Sequence, residues 1–235
     1  MREVEQAHAP DACTGRQSRT EWIPDADGIP SREAARVLVI DPDNRVLLIR
    51  GHDIDRPDFW WWFTVGGGIQ GQSRREGAVR ELYEETGLRA QAQRLIGPVL
   101  YRRAVLKFTR GVQRQNEYFF LLRVTAAEAS SVVAGKELSA LEQELLDEYR
   151  WWDASAIEEA ERAGEIFYPV GLGALVQGWI NGWDGTCDVI DENDTAEEHG
   201  EEKAETADEA VAPSRRKTPL RKPPPVQRRT PTGPN

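Results

Sequence analysis

The segment Gly66-Gly67-Gly68-Ile69-Gln70-Gly71-Gln72-Ser73-Arg74-Arg75-Glu76-Gly77-Ala78-Val79-Arg80-Glu81-Leu82-Tyr83-Glu84-Glu85-Thr86-Gly87-Leu88 carries the strongest signal in the chain. It predicts a helix with both ends written into it. Ser73 and Glu76 make a Ser-x-x-Glu capping box at the start, and Gly87 stands where a left-handed residue closes a helix. On that helix Glu81, Glu84 and Glu85 occupy positions i, i+3 and i+4 and share a face. Like charges so placed cost roughly 0.2 to 0.5 kcal/mol per pair unless something compensates. Arg80, four residues before Glu84, could do so on a solvated, salt-bridged face. A divalent cation could do so too, since hard ions such as Mg²⁺ prefer carboxylate oxygens and bridge to phosphates. The three glycines favour the second account. They are costly in conformational entropy, they let backbone approach a ligand, and their carbonyls and amides can meet metal or phosphate. No G-x-x-x-x-G-K-[ST] stands here, so a P-loop enzyme is excluded.

Outward from this segment the chain reads as alternating strands and helices. Arg36-Val37-Leu38-Val39-Ile40 and Arg45-Val46-Leu47-Leu48-Ile49-Arg50 flank the turn former Asp41-Pro42-Asp43-Asn44, a β-hairpin pattern. A loop bearing Pro57 leads to Phe59-Trp60-Trp61-Trp62-Phe63-Thr64-Val65, an aromatic strand running into the glycines, with at least two of its three tryptophans expected in the core. Further strands are expected at 95–101, 104–109, 117–124 and around Tyr149-Arg150-Trp151-Trp152, and helices at 154–163 and 171–183. Residues 1–33 show no sustained period and read as an extension with one short strand near Trp22. From Asp184 to Glu209 there are twelve acidic residues against Lys203 alone, and residues 213–235 hold seven basic residues, seven prolines and no acid. Such blocks bury little apolar surface, so 184–235 is expected to be a disordered acidic-then-basic tail, leaving one domain over 34–183.

The 235 residues carry a net charge of -10 and a mean hydropathy of -0.61. The acidic balance disfavours nucleic acid as a partner, though a carboxylate site can still meet phosphates through bound metal. No apolar run reaches the length of a membrane span and the N-terminus is polar, so no membrane partner and a cytoplasmic location are expected. Cys13 and Cys187, both read as peripheral, make no disulfide framework, and His8, His52 and His199 form no ligand spacing.

The segment closely resembles the Nudix box, G-x5-E-x7-R-E-U-x-E-E-x-G-U, where U is a bulky aliphatic residue. Arg80-Glu81-Leu82, Glu84-Glu85 and Gly87-Leu88 match its second half in full, and Gly66 stands at the proper distance before it. Gln72 falls where the family has its first glutamate, and GGGIQGQS looks one residue shorter than the common family form. The resemblance implies an α/β/α sandwich, of α+β or α/β class, around a mixed sheet. It implies Mg²⁺ or Mn²⁺ held by Glu81, Glu84 and Glu85, with Glu81 alternatively a base for water, Arg80 orienting a glutamate, and Gly66, Gly67 and Gly68 meeting the ligand.

The activity so implied is metal-dependent cleavage of a diphosphate linkage in a nucleoside diphosphate linked to another moiety, or in a nucleoside triphosphate, a small-molecule substrate. The alternative is a weakened Nudix domain that binds a nucleotide and regulates, which Gln72 favours. RNA decapping, with the basic tail holding RNA, is a poorer third reading. Many family members take a base from a glutamate outside the box, and Glu142 and Glu144 are the positions to test, against the plain reading that both are solvated. Arg102, Arg103, Lys107, Arg110 and Arg114 could meet terminal phosphates or form a solvated strand edge. Family members often dimerise, and nothing in the sequence demands it.

Overall fold

The computed structural model describes residues 22–108 and 111–192, together with the backbone of residues 216–219. Its first elements are β1 (Ile23–Pro24) and β2 (Pro30–Ile40), followed by β3 (Val46–Asp53). The turn between β2 and β3 is built by Asp41, whose carboxylate accepts the N–H groups of Asp43 at 2.9 Å and Arg45 at 2.8 Å, while Asn44 takes a left-handed φ of 63°. Next come β4 (Arg56–Gly68), α1 (Arg74–Thr86), β5 (Ile96–Phe108) and β6 (Gly111–Arg123). The short helices α2 (Ala126–Ser130) and α3 (Ala140–Leu145) lead into β7 (Leu146–Trp152), α4 (Ala154–Arg162), β8 (Phe167–Tyr168) and α5 (Leu172–Ile180). The described chain closes with β9 (Thr186–Asp191) and β10 (Arg216–Pro219).

These strands form one mixed sheet. β2 runs parallel to β6, β6 pairs antiparallel with β5, and β5 runs parallel to β9. On the other side β2 and β3 share a single pair, Ile40 with Val46, and then diverge. β4 lies antiparallel to β3 through residues 56–64 and crosses to β2 with its last four residues, Val65 to Gly68. The glycines therefore sit where two halves of the sheet splay apart, in strand conformation and not in a loop. Period-two alternation sends Leu38 and Ile40 to one face and Val37 and Val39 to the other. The first face packs with Ile157 of α4 and Leu172, Leu175 and Val176 of α5; the second packs with Ala78 and Leu82 of α1. The result is the expected α/β/α sandwich with a mixed sheet.

Trp62 is 1% exposed against Trp152 and Phe167, and Trp60 packs beside that cluster, so two of the three tryptophans belong to the core. The strands expected at 95–101 and 104–109 are one strand, whose register shift between Ile96 and Leu100 takes up Gly97 and Pro98. Pro57, expected in a loop, lies in β4 near its exposed start.

Strands reach beyond both expected limits, 34 and 183. Pro30 already belongs to β2, and β9 adds residues 186–191 to the open edge of β5. Block composition concealed β9 because its alternation is short. Asp188 and Ile190 are buried, and the flanking acids Asp191 and Glu192 meet Arg103 and Arg102. Cys187, half-buried in this strand, is no peripheral thiol, and burial with the charge of Asp188 pushes it up to about 11. β10 pairs antiparallel with β9, setting Lys217 opposite Asp188. The rest of the expected tail, residues 193–215 and 220–235, lies outside the described residues, as do residues 1–21 with Cys13 and His8, and His199 and Arg110.

Candidate active site

α1 has the ends its sequence specifies. Ser73 Oγ accepts the Glu76 N–H at 3.3 Å and the Glu76 carboxylate accepts the Ser73 N–H at 2.9 Å. At the other end Gly87, with φ 72°, donates to the Tyr83 carbonyl. The terminal carbonyls of Glu84, Glu85 and Thr86 are met by the N–H groups of Glu137, Gly135 and Val133 at 2.7, 2.8 and 2.9 Å. A helix leaves these acceptors unsatisfied by itself. Here their satisfaction fixes the segment before α3 against the helix end.

The three glutamates are not equivalent. Glu81 and Glu85, 6% and 5% exposed, share the packed face with Ala78 and Leu82, while the Glu84 side chain is 33% exposed. The glycines of β4 make room for the buried pair. Gly66 donates its N–H to Glu85 Oε2 at 2.7 Å. With φ 130°, it lies so close to β2 that a Cβ would stand 2.1 Å from the Ala35 carbonyl oxygen. A Cβ on Gly67 would stand 2.7 to 2.9 Å from the carboxylate atoms of Glu81. Gly68 contributes its carbonyl, which accepts from Arg80 Nη2 at 2.7 Å.

Arg80 gathers the remaining groups. It pairs with Glu81 at 2.8 Å and Glu84 at 2.7 Å, and its Nε donates to Gln72 Oε1 at 3.0 Å. Five residues separate Gly66 from Gln72, the number the box requires, so the expected shortening does not reach the spacing of the motif. Gln72 supplies an acceptor to Arg80 and no charge.

Burial, outweighing the attraction of Arg80 and reinforced by the charges of Glu84 and Glu142, pushes the Glu81 carboxyl up to about 7. Burial and the charge of Glu81 push Glu85 well above the ordinary carboxylate range, against the Gly66 N–H and the charge of Arg36. Two buried acids side by side on one helix face fit a divalent cation, for which carboxylate oxygens are the preferred donors, and the missing Cβ of Gly67 leaves the Glu81 carboxylate seated on bare backbone. Among the described residues no three acidic, histidine or cysteine side chains converge as a ready ligand set, Arg80 having taken up Glu81 and Glu84.

A cleft of about 680 Å³ opens beside this pair. Gly66, Gly67, Glu85 and Glu142 line one part of it, Phe59, Trp61 and Phe63 form an aromatic wall, and Arg36, Gln113, Gln115 and Tyr168 lie along it as well. Glu142 is half-buried and Glu144 exposed. One oxygen of Glu142 also closes the capping box of α3, accepting the Ser139 N–H at 2.8 Å. Of the expected basic cluster, Arg102 is buried between Glu117 and Glu192, Arg103 pairs with Asp191 and Arg114 with Asp25 and Asp27. These three arginines are held by ion pairs within the fold, and Arg102 and Lys107 also line the cleft.

Residues 30–169 match the family model for the NUDIX domain. The chain belongs to the Nudix family. It is 36% identical over 67 residues to an RNA pyrophosphohydrolase of Cereibacter sphaeroides, covering 28% of this chain and 40% of that one. It is 31% identical over 115 residues to the diphosphoinositol polyphosphate phosphohydrolase 3-alpha of Mus musculus, covering 48% of this chain and 60% of that one. The chain thus spans about 40 to 60% of the length of these relatives. Among solved structures, the MutT protein of Methanosarcina mazei Go1 is 20% identical with a TM-score of 0.42, covering 64% of this chain and 93% of that one.

The Nudix box announced its own helix but not its neighbours. Arg36 donates to the Gly66 carbonyl and pairs with Glu117 at 2.9 Å, and Glu117 is fully buried. Nothing in the sequence around Arg36 or Glu117 singles them out.

Proposed function

We propose that the chain is a divalent-metal-dependent pyrophosphohydrolase acting on a nucleoside diphosphate linked to another moiety or on a nucleoside triphosphate. The observation that carries this is the pair Glu81 and Glu85, buried on the box helix against Gly66 and Gly67, with Glu85 lining the cleft. Glu81, Glu84 and Glu85 would hold Mg²⁺ or Mn²⁺. Once bound, such an ion offsets charge on diphosphate oxygens and makes water more acidic. Arg80 orients Glu81 and Glu84 through its two ion pairs, and the Gly66 N–H fixes one oxygen of Glu85. In the reaction the oxygen of a water bonds to one phosphorus, the bridging P–O bond breaks, and a cleft carboxylate takes the proton. Glu142 is assigned that last role because it lines the cleft near Glu85, whereas Glu144 is exposed away from it.

The lining supports a nucleoside-bearing substrate. Phe59, Trp61 and Phe63 offer stacking surface; of the basic residues in the lining, Arg36 and Arg102 are tied to Glu117 and Arg32 donates to Gln115, while Lys107 is the further cation there. The regulatory alternative rests on Gln72, whose carbonyl nevertheless keeps a hydrogen bond to Arg80.

The test incubates the protein and its Glu85→Gln variant, with Mg²⁺ or Mn²⁺, against nucleoside triphosphates, nucleotide sugars, ADP-ribose and dinucleoside polyphosphates. A 5′-triphosphorylated RNA and a diphosphoinositol polyphosphate complete the panel. Phosphorus NMR should show metal-dependent release of a monophosphate or pyrophosphate from a nucleotide by the parent alone. Turnover confined to the RNA or the inositol compound would overturn the substrate class. Nucleotide binding without turnover would establish the regulatory alternative.

A further inference from the structure

A continuous chain of ionic contacts leads from the end of β9 to the glycine that holds Glu85. Glu192 Oε1 accepts from Arg102 Nε at 2.8 Å and Nη2 at 2.7 Å, and its other oxygen accepts the Val105 N–H at 3.0 Å. Arg102, 3% exposed, reaches Glu117 Oε2 at 2.7 Å. Glu117 Oε1 accepts from Arg36 Nε at 2.9 Å and from Gln115 Nε2 at 2.8 Å. Arg36 ends the chain on the carbonyl of Gly66, whose N–H is bonded to Glu85 at 2.7 Å. Acid and base alternate along it, so each buried charge has a partner on either side. Removing one end leaves the next group, Arg102, with a single carboxylate in a fully buried position, a costly state that neighbouring groups shift to relieve.

We infer that Glu192 is a positioning residue for the site. It lies beyond residues 30–169, the part that matches the family model, and acts through Arg102, Glu117 and Arg36 to fix Gly66 and with it Glu85. The C-terminal strand therefore belongs to the working enzyme, and the catalytic unit does not end with the matched domain. Gly66, with φ 130°, stands opposite Arg36 in the sheet with no room for a Cβ beside the Ala35 carbonyl, and the guanidinium of Arg36 sets which way its own carbonyl faces. This inference rests on the reading of Glu85 as a metal ligand.

The test compares full-length parent, Glu192→Ala, Glu192→Gln and the control Asp191→Asn, which removes the neighbouring surface pair with Arg103 but leaves the chain to Gly66 intact. Mn²⁺ binding is followed by electron paramagnetic resonance, and kcat and KM are measured well below each melting temperature. Loss of a group that supports a ligand typically weakens metal binding about tenfold or more, and that is expected for Glu192→Ala, with a fall in kcat and little change in KM. Asp191→Asn should match the parent. Glu192→Gln, which keeps the length and an acceptor oxygen, should lie between and serves if the alanine variant does not fold. A lower melting temperature with Mn²⁺ affinity and kcat unchanged would make Glu192 merely structural and overturn the inference. A parent that binds no Mn²⁺ would instead overturn the proposed function, and this inference with it.

Discussion

Gly67→Ala places one methyl group against the Glu81 carboxylate and tests the site with the smallest possible change. The new Cβ would lie 2.7 Å from Oε2, 2.8 Å from Cδ and 2.9 Å from Oε1, whereas ordinary contact begins at 3.4 Å. The carboxylate must therefore retreat by about 0.5 to 0.7 Å, and it is the mobile partner, since Gly67 is held in β4 opposite Ala35. A side chain can give way at modest expense, so the fold should survive with a loss of about 1 to 3 kcal/mol, typical of overpacking. Catalysis should not tolerate the shift so well. Misplacing a working group by 1 Å can cost about 10²-fold, so kcat/KM should fall by roughly 10- to 100-fold while circular dichroism stays native. The assay is steady-state turnover of the identified substrate, with Mn²⁺ affinity measured alongside. Gly66→Ala supplies the contrast: its methyl would meet backbone at 2.1 Å at a left-handed φ, so it should fail to fold and not merely lose activity. Parent-like kcat/KM and Mn²⁺ affinity in folded Gly67→Ala would refute the argument, because Glu81 could then not be working from the position beside Gly67.

Glu117 makes stability sensitive to acid. Burial alone would raise its carboxyl, but Arg36, Arg102 and the Gln115 amide outweigh burial and hold it at about 2, against 4.5 for the ordinary group. The folded pKa is depressed, so the contribution of about 3 kcal/mol is fully present above pH 4.5 and fades as the pH falls towards 2. Urea unfolding from pH 7 to pH 3 should show that decline in the parent and a flatter profile in Glu117→Gln. Glu142→Gln should lower kcat by about 10²-fold, as loss of a general base does, while Glu144→Gln leaves it unchanged; equal effects in a steady-state assay would remove Glu142 from its assigned role. Ser73→Ala should destabilise the protein by about 1 kcal/mol through loss of the helix cap, read as a lower urea midpoint with kcat preserved.

What the sequence determined by itself lies within a few residues of chain. The capping box of Ser73 and Glu76, the terminal Gly87, the turn at Asp41 and the shared helix face of Glu81, Glu84 and Glu85 each depend on groups no more than four positions apart, and their geometry follows from local backbone physics. The apolar runs at 36–40 and 45–50 likewise marked two neighbouring strands around that turn. Tertiary structure decided the rest. Which glutamates are buried depends on where β4 crosses to β2, and the three-residue spacing that put Glu84 with its neighbours could not show it half-exposed. Arg36 meets Glu117 across 81 positions and Arg102 meets Glu192 across 90, so neither partner carries a local mark. β9 was hidden for the same reason. A strand of six residues in an acidic stretch has little preference of its own, and it forms because β5 offers an unpaired edge and two arginines that need carboxylates.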